Sequence, residues 1–202
     1  MGKFYAVKVG GQSGVFDDWK QVEPLISGQR NAIYRRFPTR EEAEAFLMGL
    51  NGKASAAVEL PPTAYAFVDG SFNAETQTFG YGGVVVGPAP ERERIEIRGS
   101  SRDERYVGMR NVAGEIGAAW CAILRARERG WKHLTIYHDY LGISAWPDGV
   151  WTANTDLTQK YAYFVNRMRR YMVIEFSHVK GHSGVKENEE ADLIAKVSAG
   201  II

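Results

Sequence analysis

The sequence predicts an α/β fold: a five-stranded mixed sheet flanked by helices, preceded by a small α+β domain. Three observations point to it. Beyond residue 62 the hydrophobic patterning reads β-β-β-α-β-α-β-α, an order that yields a mixed sheet with helices on its faces. Ahead of that stretch, "GLNGKASAAVELPP" (Gly49 to Pro62) is made of small residues and ends in a proline pair, the composition of a linker. The length of 202 residues suits one ordinary domain joined to a small module. The segments are a front domain at 1–48, a linker at 49–62 and a body at 63–202.

In the front segment "FYAVKV" and "GVF" read as two short strands joined by the glycine-rich turn "GGQSG", and "IYRRF" as a third. A helical stretch after Trp19 is interrupted by Pro24. "TREEAEAFL" is a helix with its own start signal, since Thr39 and Glu42 form a capping box just after Pro38. In the body "AYAFVD", "YGGVVVG" and "RIEIRG" are three strands of an antiparallel meander. A helix runs from Asn111 to Arg129 and closes at Gly130, with Val112, Ile116, Ala119 and Ile123 as its apolar stripe and Trp120 and Leu124 alongside. "HLTIYHD" is the fourth strand; Trp146 and Trp151 lie in the connection to the helix "TDLTQKYAYFVNRMRRYM". "VIEFSHV" is the fifth strand, and the last helix starts near Glu187 with Leu193, Ile194 and Val197 as its stripe.

Composition narrows the class. With 45% hydrophobic and 24% charged residues the chain is that of a soluble globular protein. No apolar run reaches the length of a membrane span, and "MGKFYAVKVG" has no signal-peptide pattern. The single cysteine, Cys121, reads as a buried small side chain, and a cytoplasmic location is expected. The net charge of +1 selects no partner, although residues 1–53 carry eight Lys/Arg against six Asp/Glu and the remainder seventeen against eighteen.

The informative residues are acids. Asp69 ends the first body strand and Asp139 the fourth. A right-handed crossover that returns the chain parallel beside the first strand brings both to one sheet edge, the edge where ligands collect in such sheets. Glu115 lies in the first turns of the following helix and leans over that edge, and Asp192 of the last helix lies off its apolar stripe. Each acid alone has an ordinary structural reading, as a turn, strand-end or helix-start residue. Together they form a cluster whose mutual repulsion a hard divalent cation would remove. The segment "VKGHSGVKENEEAD" adds His182, set between Gly181 and Gly184. His138, next to Asp139 on a strand, points to the opposite face and is left out of the site.

The set "FVDGSFN", "MRNVAGE", "TIYHD" and "VKGHSGVKENEEAD" resembles the type 1 ribonuclease H family over about residues 63–202. The resemblance is most specific in the last motif, at Lys180, Gly181, His182, Asn188, Glu189 and Asp192. It implies a ribonuclease H-like fold and hydrolysis of the RNA strand of RNA–DNA hybrids, leaving 5′-phosphate and 3′-hydroxyl ends. It further implies that Asp69, Glu115, Asp139 and Asp192 hold two Mg²⁺ ions roughly 4 Å apart, with Mn²⁺ able to substitute. His182 would assist proton exchange or product release, while Gly70, Ser71 and Asn111 would sense the 2′-hydroxyl.

The front segment is similar to the hybrid-binding, viroplasmin-like domain, which implies that Trp19 stacks beside the DNA backbone and that Arg35 and Arg36 contact phosphate. Without the family, a core role for Trp19 and a solvated strand face for the arginines are readings at least as good. The implied partner is the hybrid itself, with no membrane and no obligate protein partner. Two departures concern nucleotide contacts: Asp139-Tyr140-Leu141 stands where relatives often carry Asp-Ser-Gln, and "SFNAETQTFGYGG" replaces their glycine-rich turn. No basic protrusion lies between the fourth and fifth strands, which leaves gripping of substrate to the front domain. The alternatives are a non-cleaving hybrid or double-stranded RNA binding protein, or a different nuclease on the same fold.

Overall fold

The computed structural model describes residues 4–9, 12–27, 33–37, 39–40, 43–44, 46–47, 60–179 and 185–202. The chain forms two compact units, Met1–Ala54 and Ser55–Ile202.

In the first unit β1 (Phe4–Val9) pairs antiparallel with β2 (Gln12–Phe16) on one side and β3 (Ile33–Phe37) on the other. Ala6 and Phe37 pack with Ala43 and Leu47 in a small core. α1 (Trp19–Ile26) starts where the Asp18 side chain accepts a hydrogen bond from the Lys20 N–H at 3.0 Å. Pro24 was expected to interrupt this helix, yet it continues to Ile26, anchored by fully buried Val22. A proline one turn from a helix end removes a single backbone bond, to the Lys20 carbonyl. Glu42, half of the predicted capping box, lies outside the described residues; the Ala43 N–H does donate to the Thr39 carbonyl at 3.4 Å.

The second unit is the mixed sheet. β4 (Ala64–Asn73), β5 (Thr78–Val86) and β6 (Arg94–Ser101) form the antiparallel meander, and β7 (His133–His138) and β8 (Val173–His178) extend it in parallel, giving the order β6-β5-β4-β7-β8. The helices are α2 (Glu104–Val107), α3 (Asn111–Glu128), α4 (Gly142–Ala145), α5 (Asp156–Met168) and α6 (Lys186–Ala199). Alternation along β4 sends Ala66 and Val68 into the core beneath α3 and α5, and Tyr65 and Phe67 into a second core with Val84, Tyr137 and Ile194 of α6. No helix of the described residues is long and apolar enough to cross a membrane.

Both long helices sit unusually low on the sheet, because glycines face them. A Cβ on Gly70 would lie 2.2 Å from the Asn111 carbonyl oxygen and 2.3 Å from the Glu115 nitrogen; one on Gly82 would lie 2.3 Å from the Ala195 nitrogen. This closeness alters the helix faces expected from the sequence. The buried face of α3 consists largely of alanines, Ala118, Ala119, Ala122 and Ala126, with Ile116 and Ile123, while Leu124 is exposed. In α6 only Ile194 of the expected stripe is buried; Leu193 and Val197 are exposed, and Ala191, Ala195 and Ala199 meet the sheet. A helix lying against glycines leaves no room for leucine. Cys121 is half-buried rather than buried.

Gly70→Ala is expected to push the start of α3 off β4. The cost should be about 1–3 kcal/mol or more, read by urea unfolding, with activity falling beyond the loss of folded protein because α3 carries Glu115.

Candidate active site

β4 and β7 run parallel, so Asp69, beyond the register pair Phe67–Tyr137, and Asp139, just after β7, emerge at one end of the sheet. Gly70 lets α3 descend onto this end, and Glu115 completes the group. One carboxylate oxygen from each of Asp69, Glu115 and Asp139 lies within 4.8 Å of the other two.

The electrostatics of this group are unfavourable by construction. Burial first, then the charges of Asp139 and Asp192, raise the Asp69 pKa to about 7, against the lowering effect of the Gly70 N–H and Lys196. The Gly70 N–H donates to Asp69 Oδ1 at 2.7 Å. Glu115 is 2% exposed, and burial, then the charges of Asp139 and Asp69, push its pKa well above the usual carboxylate range. Its Oε1 accepts from Asn111 Nδ2 at 3.3 Å, while Oε2 is buried with no partner among the described residues. A buried carboxylate with one unpaired oxygen, next to two further acids, carries a desolvation cost that a cation would relieve.

Asp192 stands beside this group and is not one of its three members. Its Oδ2 accepts from Lys196 Nζ at 2.7 Å, one turn along α6, and its charge still reaches Asp69. His182 lies outside the described residues, as do Lys180 and Gly181. Ser71 continues β4 opposite Gly80, and Asn111 opens α3 with its amide on Glu115. Glu190 is ion-paired with Arg94.

Sequence reasoning passed over the aromatic group beside Asp139. Tyr140, Trp146 and Trp151 have ring centroids 5.7, 6.0 and 5.9 Å apart, and Gly142 makes room, since a Cβ there would lie 2.4 Å from the Tyr140 ring. The signal was present as two tryptophans and a tyrosine within twelve residues after an acid, but their convergence depends on the short helix α4.

In the front unit Trp19 is 36% exposed, so it does not fill the core. It lies between Tyr5 and Tyr34, with centroids 5.3 and 5.5 Å away. Register places Arg36 opposite Tyr5 and Arg35 opposite Ala6. Adjacent strand residues face opposite sides, so Arg36 shares the aromatic face, whereas Arg35 lies over the Phe37 ring on the other side. Tyr5 and Tyr34 are additions to the sequence reading, and the alternation in "FYAVKV" and "IYRRF" could have found them.

Compared with models of protein families, residues 62–199 match the family described as RNase H, well over half of the chain. The chain belongs to the ribonuclease H family. Residues 3–47 match the ribonuclease H1 N-terminal domain. Ribonuclease H1 of Mus musculus is 27% identical over 256 residues, covering 98% of this chain and 90% of the relative. Ribonuclease H1 of Homo sapiens is 28% identical over 259 residues, with the same coverage. The front segment is also similar to the transactivator/viroplasmin protein of Cestrum yellow leaf curling virus, 39% identical over 64 residues, 30% of this chain and 12% of that protein. Among solved structures, RNase H1 from the halophilic archaeon Halobacterium salinarum superposes with a TM-score of 0.54 at 17% identity, over 69% of this chain and 99% of that one. LC11-RNase H1, solved in complex with an RNA/DNA hybrid, superposes with a TM-score of 0.53 at 12% identity, over 67% and 99%. Both share the fold of the body.

This ribonuclease H is therefore a metal-dependent nuclease. The residues present fit a cation: the donors are hard carboxylate oxygens from three elements, and Glu115 keeps a buried oxygen with no partner among the described residues.

Proposed function

We propose that the protein is an endonuclease that hydrolyses the RNA strand of RNA–DNA hybrids with two Mg²⁺ ions, leaving 5′-phosphate and 3′-hydroxyl ends. The observation that carries this is the convergence of Asp69, Glu115 and Asp139 with oxygens within 4.8 Å, in a chain of this family. Asp192 is the fourth ligand in this reading, once released from Lys196. The chemistry such ions supply is activation of a water and stabilisation of the charge that develops on the departing 3′-oxygen. The protein's own part is positional. Asn111 orients the Glu115 carboxylate, and the Gly70 N–H orients that of Asp69. In this reading the backbone at Gly70 and Ser71, with Asn111, reads the 2′-hydroxyl that distinguishes RNA from DNA. The solution of a similar fold with an RNA/DNA hybrid supports the choice of substrate. A panel of hybrid, duplex DNA and single strands, each with Mg²⁺ and with EDTA, tests the reading. Cutting of the hybrid alone, and only with metal, is expected; cutting of duplex DNA would favour another nuclease on this fold, and no cutting a binding protein.

The front domain supplies the grip in this reading, through Trp19, Tyr5 and Tyr34 with Arg36. Arg36→Ala is expected to weaken hybrid binding and to lower the salt slope by roughly one, the signature of one lost phosphate contact. Arg35→Ala should do less, because that side chain faces away. Fluorescence anisotropy across a salt series separates the two, and equal effects would contradict the face assignment.

His182, set between Gly181 and Gly184, is read as assisting proton exchange or product release at the same site. His182→Ala should lower turnover roughly ten- to a hundredfold with Mg²⁺ still required. The steady-state rate should fall more than the single-turnover rate. A loss as severe in both as that of Asp69→Asn would place His182 in the chemical step.

A further inference from the structure

We propose that His138 and His178 are positioning residues for Asp139, each donating a ring N–H to a backbone carbonyl of the turn that carries this carboxylate. The two histidines are register partners at the ends of the parallel strands β7 and β8. His138 Nδ1 lies 3.0 Å from the Tyr140 carbonyl oxygen, and His178 Nε2 lies 2.9 Å from that of Asp139. A carbonyl only accepts, so both nitrogens carry the hydrogen. The rings are 5.9 Å apart and inclined at 65°.

Asp139 is the first residue after β7, beyond the last register pair of the described strands. The two histidines add one bond each to consecutive carbonyls, of which that of Tyr140 also accepts from the Ile143 N–H at 3.1 Å. Their placement has a cost that a purely packing role would not explain. His138 is fully buried, and with its hydrogen committed at Nδ1 its Nε2 is left without a partner among the described residues. An apolar ring of similar size would fill the space and avoid an unmet acceptor. What it would lose is the hold on Tyr140, and a liganding carboxylate must be held to within about 0.5 Å to be useful.

The proposal rests on the reading of Asp139 as a cation ligand. Because His138 is buried, its variants test folding as much as positioning, so His178 carries the test. The measurement is Mn²⁺ binding to the full chain by isothermal titration calorimetry, with the thermal midpoint and the KM for hybrid measured beside it. His178→Phe should weaken Mn²⁺ binding about 10- to 100-fold, the range for partners that orient a metal ligand, with midpoint and KM near wild type. His178→Gln, whose amide nitrogen reaches the same carbonyl, should recover most of the affinity. Wild-type affinity in His178→Phe, when Asp139→Asn has lost it, overturns the proposal and leaves the carboxylate reading standing. A lowered midpoint shared by the Phe and Gln variants, without an affinity difference between them, also overturns it in favour of packing. Wild-type affinity in Asp139→Asn itself overturns the carboxylate reading, and the proposal with it.

Discussion

Asp69→Asn is expected to abolish cleavage of an RNA–DNA hybrid while leaving the fold and hybrid binding intact. The change removes one hard anionic oxygen and almost no volume, so its effect falls on the group formed with Glu115 and Asp139 rather than on packing. Charge stabilisation of this kind is worth several kcal/mol, and each 1.4 kcal/mol or so is tenfold in rate, so the loss should reach roughly a thousandfold or more. Asp139→Asn should behave alike. Single-turnover cleavage at saturating Mg²⁺, with hybrid binding measured in parallel, checks both. Near-wild-type turnover in either variant would remove the carboxylates from the chemistry.

The same substitution should stabilise the metal-free protein at neutral pH. The Asp69 pKa is about 7 in the folded chain against an ordinary 3.8, first because of burial and then because of Asp139. The folded state therefore holds this proton more tightly than the unfolded chain. Its contribution to stability is fully present below about pH 4 and is lost as pH rises through about 7. Glu115, raised by burial and by the same neighbours, acts in the same direction. In EDTA, urea unfolding should show the wild type losing stability between pH 4 and 7 relative to Asp69→Asn, by an amount on the order of a few kcal/mol. Adding Mg²⁺ should reverse the difference, since a cation binds the ionised wild-type group. Parallel pH profiles in EDTA would contradict the account of Asp69 as a strained, cation-seeking acid.

Much of the body was legible because strand alternation, turn residues and the crossover rule all agree there. The meander, the parallel pairing of β4 with β7 and the shared edge of Asp69 and Asp139 follow from them. What was hidden depends on distances between elements. That Leu124, Leu193 and Val197 would be exposed while alanines were buried follows from the approach of α3 and α6 to Gly70 and Gly82, which helical periodicity does not contain. The hold of Lys196 on Asp192 was open to a reading of i, i+4 spacing, but not its competition with the neighbouring acids. Arg35 and Arg36 read as a pair only until the strand's alternation is applied to them. Tyr140, Trp146 and Trp151 meet only because Gly142 admits a tight turn.

Water activated at these carboxylates with bound metal should attack the RNA strand directly. Cleavage of a hybrid in ¹⁸O-labelled water, followed by mass spectrometry of the RNA fragments, tests it most directly. One ¹⁸O in a terminal 5′-phosphate, a 3′-hydroxyl on the other fragment, and no products in the presence of EDTA are expected. Fragments ending in a 2′,3′-cyclic phosphate, formed without label and surviving EDTA, would show attack by the RNA's own 2′-hydroxyl and contradict it.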